Sequence, residues 1–420
     1  KAGAKGRRGG GGLPERGGGG GVWRSIEKPP AASLAPAAGG AGKGAVRSAL
    51  GDLPKGKGGA AKGGLKPAGA AGGAAKGKGG GKPRSLVLVP GPGGGGARRE
   101  KTSHQGAGKV LSWASSEMQG WRPAMEDASS ALLCLGPPLA SHALFGVFDG
   151  HGGAAVSRRV ADELPLEVLR QAAACEAEGH ADPGGLADAA LRRALPALDG
   201  ALRELGEGRA GYLPGCSGGS PVPAAVVNEF AFTGSTAIVA LLECEGPPVD
   251  GRPLRVTAAN VGDSRAVLCR AGEAVALSED QKPGCPEERA RIEQAGGHVA
   301  VVGPCERIDG WGLNLSRALG DFHYKARADL PPEAQKVSAF PEVVTMELTP
   351  EDEFLLLGCD GVFELQTNQS AVDLVRSSLQ SGRAASEAVE DLVDACCSHD
   401  LFETQGKGSD NVSALVVLLR

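Results

Sequence analysis

Ala143-Leu144-Phe145-Gly146-Val147-Phe148-Asp149-Gly150-His151-Gly152-Gly153 is the stretch on which the reading of this chain turns. A short, continuously apolar run bounded by turn residues is the mark of a strand buried on both faces. Here it ends on a carboxylate followed at once by glycine. The same construction recurs where Phe354–Cys359 runs into Asp360-Gly361, whereas Asp410, in Ser409-Asp410-Asn411, precedes the apolar run Ser413–Leu419. Asp263 sits in Gly262-Asp263-Ser264-Arg265 between two apolar runs, and Glu126 and Asp127 are adjacent after Met125.

A carboxylate at the end of a buried strand costs free energy unless it is paired or holds a cation. A single one is ordinarily a cap or turn former. Several together form a set of hard oxygen donors suited to Mg²⁺ or Mn²⁺ rather than Zn²⁺. Glycine after aspartate also lets a backbone carbonyl approach an ion. Spacing alone leaves both readings open, structural caps or metal ligands.

Working outward, Thr236–Leu242, Leu254–Ala259 and Ala266–Cys269 read as further strands. Helical patterns cover Gly153–Ala174, Leu186–Leu205, Gln369–Leu379 and Ala384–Cys397. Glu287–Ala295 follows Pro286 and stops at Gly296-Gly297, a helix start and stop. Residues 206–225 are rich in Gly, Pro and Ser and read as a loop insert. Strands come in groups and helices in pairs, which predicts an α+β fold: a central β-sandwich of two antiparallel sheets flanked by helix pairs.

The 420 residues divide unevenly. Up to Lys109 there are 21 Lys and Arg against 4 Asp and Glu; the remainder has 24 against 45. Of 68 glycines, 35 lie in the first 110 residues. Such a segment has little apolar surface to offset chain entropy, so residues 1–109 are expected to be a disordered basic tail and 110–420 the folded domain. The tail could meet nucleic acid or an acidic partner, although Trp23 is the one aromatic in its first hundred residues. Gly106–Lys109 is followed by Val110, not Ser or Thr, so it is no phosphate-cradling loop. The ten cysteines include no CxxC pair and read as reduced thiols. No apolar run is long enough for a transmembrane helix. The expected location is cytoplasmic or nuclear, and the expected catalytic domain is monomeric.

Seven blocks, in order, resemble the type 2C metal-dependent serine/threonine protein phosphatases. They are Gly120–Asp127, Phe145–Gly153, Gly234–Ala237, Ala259–Arg265, Ser316–Asp321, Cys359–Gly361 and Ser409–Val412. Gly312–Arg317 is closest in flavour to the metazoan gamma isoform and its fungal and protist relatives. The resemblance covers about residues 110–420 and leaves the tail unexplained.

That resemblance implies a phosphatase acting on phosphoserine and phosphothreonine in phosphoprotein substrates, with two Mg²⁺ or Mn²⁺ ions. Asp149 would bridge them, Glu126 and the Gly150 carbonyl completing one shell and Asp360 and Asp410 the other. Asp127 would orient water. Asp263 and Glu364 would form a weaker third cation site, Glu364 standing where the family usually has Asp. Arg122 would grip the phosphoryl group and His151 would protonate the leaving alkoxide. Arg265 and Arg317 would make buried ion pairs, Asp321 would support the site, and 281–309 would be a flap that bears on substrate choice. Gln281 stands where the family often has His, Asp309 where it often has Asn, and Phe363 where Trp is common. None of these departures removes a primary ligand. The alternatives are a catalytically inactive phosphatase fold acting as a binding module, which would have lost a ligand, and a nucleic-acid-associated protein acting through its tail.

Overall fold

The computed structural model describes residues 96–179, 182–206, 230, 233–246 and 251–419. Residues 1–95 of the expected tail, and all of the 206–225 insert beyond Gly206, lie outside the described residues.

Two antiparallel sheets dominate. The first has the order β1 (Arg98–Ala107), β2 (Ser112–Gly120), β16 (Val412–Leu418), β15 (Asp352–Gly358), β9 (Arg265–Arg270) and β10 (Glu273–Ala276). The second runs β14 (Glu342–Glu347), β8 (Pro253–Val261), β7 (Ala237–Cys244), β4 (His142–Phe148) and β3 (Ala128–Leu132). A short ladder joins β5 (Gly150–His151), β6 (Gly234–Ser235) and β13 (Leu319–Gly320), and β11 (Val299–Val302) pairs with β12 (Cys305–Ile308).

The period-two alternation of the strands sorts their side chains into layers. Phe145 and Val147 of β4, Ile238 and Ala240 of β7, Leu355 and Leu357 of β15, and Leu415 and Val417 of β16 fill the space between the sheets. Leu144 and Phe148 of β4 and Val239 of β7 face α1 (Ala155–Ala177) and α2 (Pro183–Gly206). Phe354, Leu356 and Val416 face the other way, onto the later helices α5 (Asn368–Gln380) and α6 (Ala385–Cys396). Both faces of the central strands are therefore buried, which is why their sequences run continuously apolar. Each such large side chain contributes about 1.5–3 kcal/mol by leaving water. The result is the expected α-β-β-α sandwich.

The expected boundary at residue 110 needs correction. Arg98–Ala107 forms β1, an edge strand paired antiparallel with β2 from Lys101↔Met118 to Ala107↔Ser112. It is also tied to α6: Lys101 pairs with Asp394 at 2.5 Å, and the Ser103 hydroxyl donates to Glu390 at 2.7 Å. The Arg99 guanidinium donates to the Cys397 and Ser398 carbonyls at 2.8 and 2.9 Å. Its charged, polar sequence carries no apolar run because an edge strand faces water along most of its length.

The region 281–309 is ordered around α3 (Pro286–Gln294) and the β11–β12 hairpin, over a small core of Ile292, Ile308, Leu315, Ala318 and Val337. Glu288 fastens it. The Arg317 fork donates to Glu288 at 2.7 and 3.1 Å, the Ser316 hydroxyl at 2.6 Å, and Arg291 pairs with it at 2.7 Å. Arg265 likewise donates through its fork to Asp280 at 2.7 and 3.0 Å and lies 4.8 Å above the Phe363 ring.

A chain beginning at residue 96 is expected to melt higher than one beginning at residue 111, which lacks β1 and its α6 contacts. Differential scanning calorimetry should show a loss of about 2 kcal/mol, or roughly 5 °C; equal melting points would mean that β1 is not part of the cooperative unit.

Candidate active site

Strand register gathers the acidic residues at one end of the sandwich. In the first sheet, Gly358 of β15 lies opposite Ala414 of β16 and Arg265 of β9, while Met118 of β2 lies opposite Val412. The segments bearing Arg122, Asp263, Asp360 and Asp410 therefore leave the sheet at the same end. In the second sheet Ala128 of β3 lies opposite Phe148 of β4, which puts Asp127 beside Asp149. Asp360 opens a one-turn helix, α4 (Asp360–Phe363).

Close backbone approach requires glycine at two of these turns. A Cβ on Gly150 would stand 2.2 Å from the Glu126 carbonyl oxygen, and one on Gly361 would stand 2.0 Å from that of Asn411. Asn411 is the hub: its side-chain oxygen accepts from the Glu126 N–H at 2.9 Å. Its amide donates to the Gln119 and Ala124 carbonyls at 2.8 and 3.0 Å. One buried side chain thus sets the path of the loop that carries Arg122 and Glu126. The Ser157 hydroxyl of α1 donates to the Glu126 carbonyl, and Asp149 is held by reciprocal bonds with Thr236 at 2.9 and 3.1 Å.

The carboxylates burden one another. Burial pushes Asp149 well above the ordinary carboxylate range, and the neighbouring charges of Asp360, Asp127, Asp263 and Asp410 push it further. Asp360 is raised to about 8 by burial and then by Asp263 and Asp410, opposed by Lys282 and a hydrogen bond with Asp149. Asp127 is raised to about 7, chiefly by burial, although its Oδ2 accepts from the Ser413 hydroxyl at 2.7 Å.

Cations flank the cluster. The Arg122 side chain, half exposed, donates to Asp410. Burial disfavours its charge, but Asp410, then Asp360 and Asp149, outweigh burial and hold it charged. His151 Nε2 bonds Asp321 Oδ2 at 2.7 Å. Burial lowers the imidazole's affinity for a proton, yet Asp321 together with Asp263 and Glu126 raises it overall. Lys282 pairs with Asp263.

All the sequence-derived site residues except Glu364 are tied to this one region by bonds or mutual charge effects. Glu364 is exposed, and its carboxylate accepts from the Gly408 N–H at 2.8 Å, whereas Asp263 is taken by Lys282. The two proposed partners of a third cation are thus engaged separately. Asn411, Ser157, Ser413 and Lys282 acquire roles that sequence reading did not give them. Asn411 stands in the Ser409-Asp410-Asn411 motif and Lys282 inside the 281–309 region, but no sequence signal marks Ser157.

The donor set fits two hard divalent ions. Buried oxygens that repel one another to this extent are relieved by positive charge, and all are oxygen. Among the described residues no three His, Cys, Asp or Glu side chains already stand as a ligating group. Asp410 is paired with Arg122 at the edge of the set.

Known proteins with similar sequences and folds place the chain in a family. The protein phosphatase 2C family model matches residues 112–401. The chain is 36% identical over 335 residues to "Probable protein phosphatase 2C 3" of Paramecium tetraurelia, covering 77% of this chain and 97% of that one. It is 36% identical over 324 residues to "Protein phosphatase 2C homolog 2" of Schizosaccharomyces pombe, covering 76% and 75%. A crystal structure of a Toxoplasma gondii phosphatase matches with TM-score 0.57 and 26% identity over 76% of this chain and 96% of that one. The chain belongs to the protein phosphatase 2C family.

In the absence of divalent ions, Asp360→Asn is expected to stabilise the fold. The Asp360 carboxyl titrates higher folded than unfolded, so its contribution is favourable below about pH 4 and is lost as pH rises toward 8. Melts in EDTA should therefore show the variant gaining on the parent between pH 5 and 8, by about 2 kcal/mol at the top. A gain that shrinks with rising pH would contradict the mutual repulsion.

Proposed function

We propose that this protein is a metal-dependent protein serine/threonine phosphatase using two Mg²⁺ or Mn²⁺ ions. The observation that carries the proposal is the cluster of mutually repelling, half-buried carboxylates at one end of the sandwich, with Arg122 at its rim. Asp149, in the middle of that repulsion, would be shared by both ions. Glu126 and the Gly150 carbonyl would complete one shell, and Asp360 and Asp410 the other. When bound, the ions supply a water made nucleophilic near neutral pH and charge to offset that of the phosphoryl group.

The remaining chemistry falls to side chains. Arg122 exchanges its bond with Asp410 for two phosphoryl oxygens, which its planar fork matches. His151 keeps Nε2–H on Asp321, which leaves Nδ1–H to be donated to the departing serine or threonine oxygen. Asp321 would thereby both orient the ring and favour its charged form. Asp127, held by Ser413, orients water beside the ions. Phosphoryl transfer needs little covalent chemistry from the protein, so placement and electrostatics supply most of the rate. No described helix is long and apolar enough to cross a membrane. Phosphoproteins are the proposed substrates.

Turnover of a phosphothreonine peptide should require Mn²⁺ or Mg²⁺ and stop with EDTA. Asp149→Ala should lower kcat/KM by about 10³ or more, whereas Arg122→Ala should weaken phosphate binding while calorimetry still detects ion binding. Full metal-dependent turnover by Asp149→Ala would refute the shared-ligand role, and loss of ions alone in Arg122→Ala would refute that of Arg122.

A further inference from the structure

We infer that Lys282 is a built-in cation that takes the place of a third metal ion at Asp263. The inference rests on the two-ion reading above. Asp263 is 2% exposed; one of its oxygens pairs with the Lys282 ammonium, and Oδ1 has no hydrogen-bond partner among the described residues. A buried carboxylate left half-satisfied needs positive charge close by, and here the chain itself supplies it.

The lysine is placed, not merely nearby. The preceding residue, Gln281, is 4% exposed and locked to the turn that carries Asp263. Its Oε1 accepts from the Gly262 N–H at 2.7 Å and its own N–H donates to the Gly262 carbonyl at 3.0 Å. Its carbonyl accepts from Ser316, from the N–H at 2.9 Å and from the hydroxyl at 2.7 Å. Pro283 follows with fixed φ. The Lys282 charge is felt by Asp360 as well, so it reaches into the main cluster. Glu364, the other residue expected at a third cation, is bonded to Gly408 instead.

Charge balance supports the same reading. Glu126, Asp127, Asp149, Asp263, Asp360 and Asp410 carry six negative charges when ionised. Two divalent ions, the Arg122 guanidinium and the Lys282 ammonium match them. A third divalent ion would have to displace Lys282 from Asp263. Because Lys282 stands at the root of the α3 and β11–β12 region, it also ties that region to the carboxylate cluster.

The test counts bound ions by Mn²⁺ calorimetry and electron paramagnetic resonance on the full chain, with thermal melts as a folding control. The native protein should bind two ions, and Asp263→Asn should still bind two. Lys282→Gln should bind a third at least about tenfold more tightly than the native protein does, and adding Asp263→Asn to it should remove that ion. An unchanged count in Lys282→Gln, or loss of an ion in Asp263→Asn alone, overturns the inference. If Lys282→Gln does not fold, the Asp263→Asn count decides. Absence of Mn²⁺ binding by the native protein would instead overturn the two-ion reading.

Discussion

Repulsion among carboxylates crowded into a half-buried cleft is the constraint around which this protein is organised. Asp149 lies against Asp360, Asp127, Asp263 and Asp410, and burial removes the water that would otherwise screen them. No packing gain requires such an arrangement; a fold selected for stability alone would have put apolar or paired residues there. The sandwich supplies enough buried apolar surface on three layers to carry the cost, and the end of the sandwich is where that cost is concentrated.

The surroundings of the cluster hold it in place without neutralising it. Gly150 and Gly361 let backbone pass where a side chain would collide with a carbonyl. Asn411 bonds three backbone groups of the loop that carries Arg122 and Glu126. Positive charge stands at the edges, on Arg122, Lys282 and the His151–Asp321 pair. On the proposed reading the centre would hold the ions, and the rim the phosphoryl group and the leaving oxygen. In the 281–309 region, Lys282 pairs with Asp263 and Glu288 with Arg317.

Much of the architecture was legible because both faces of the central strands are buried. Ala143–Phe148, Phe354–Leu357 and Ser413–Leu419 are apolar throughout, and an aspartate adjoining each apolar stretch then stands out. The strand β1 was not legible, since an edge strand facing water has the same polar composition as a tail. Its further contacts reach α6 and the residues just after it, nearly three hundred residues away. The site was read mostly from carboxylates with glycine neighbours; what escaped were residues acting through long-range bonds, such as Ser157 on the Glu126 carbonyl. Glu364 shows the limit of transferring a position by spacing: one methylene longer than aspartate, its carboxylate settles on Gly408.

Anomalous diffraction from crystals grown with Mn²⁺ tests the central claim most directly. The account predicts two strong peaks a few ångströms apart, with the Asp149 carboxylate between them, Glu126 on one side and Asp360 with Asp410 on the other. Peaks at separate places on the surface, or a well-ordered site with no manganese, would contradict it.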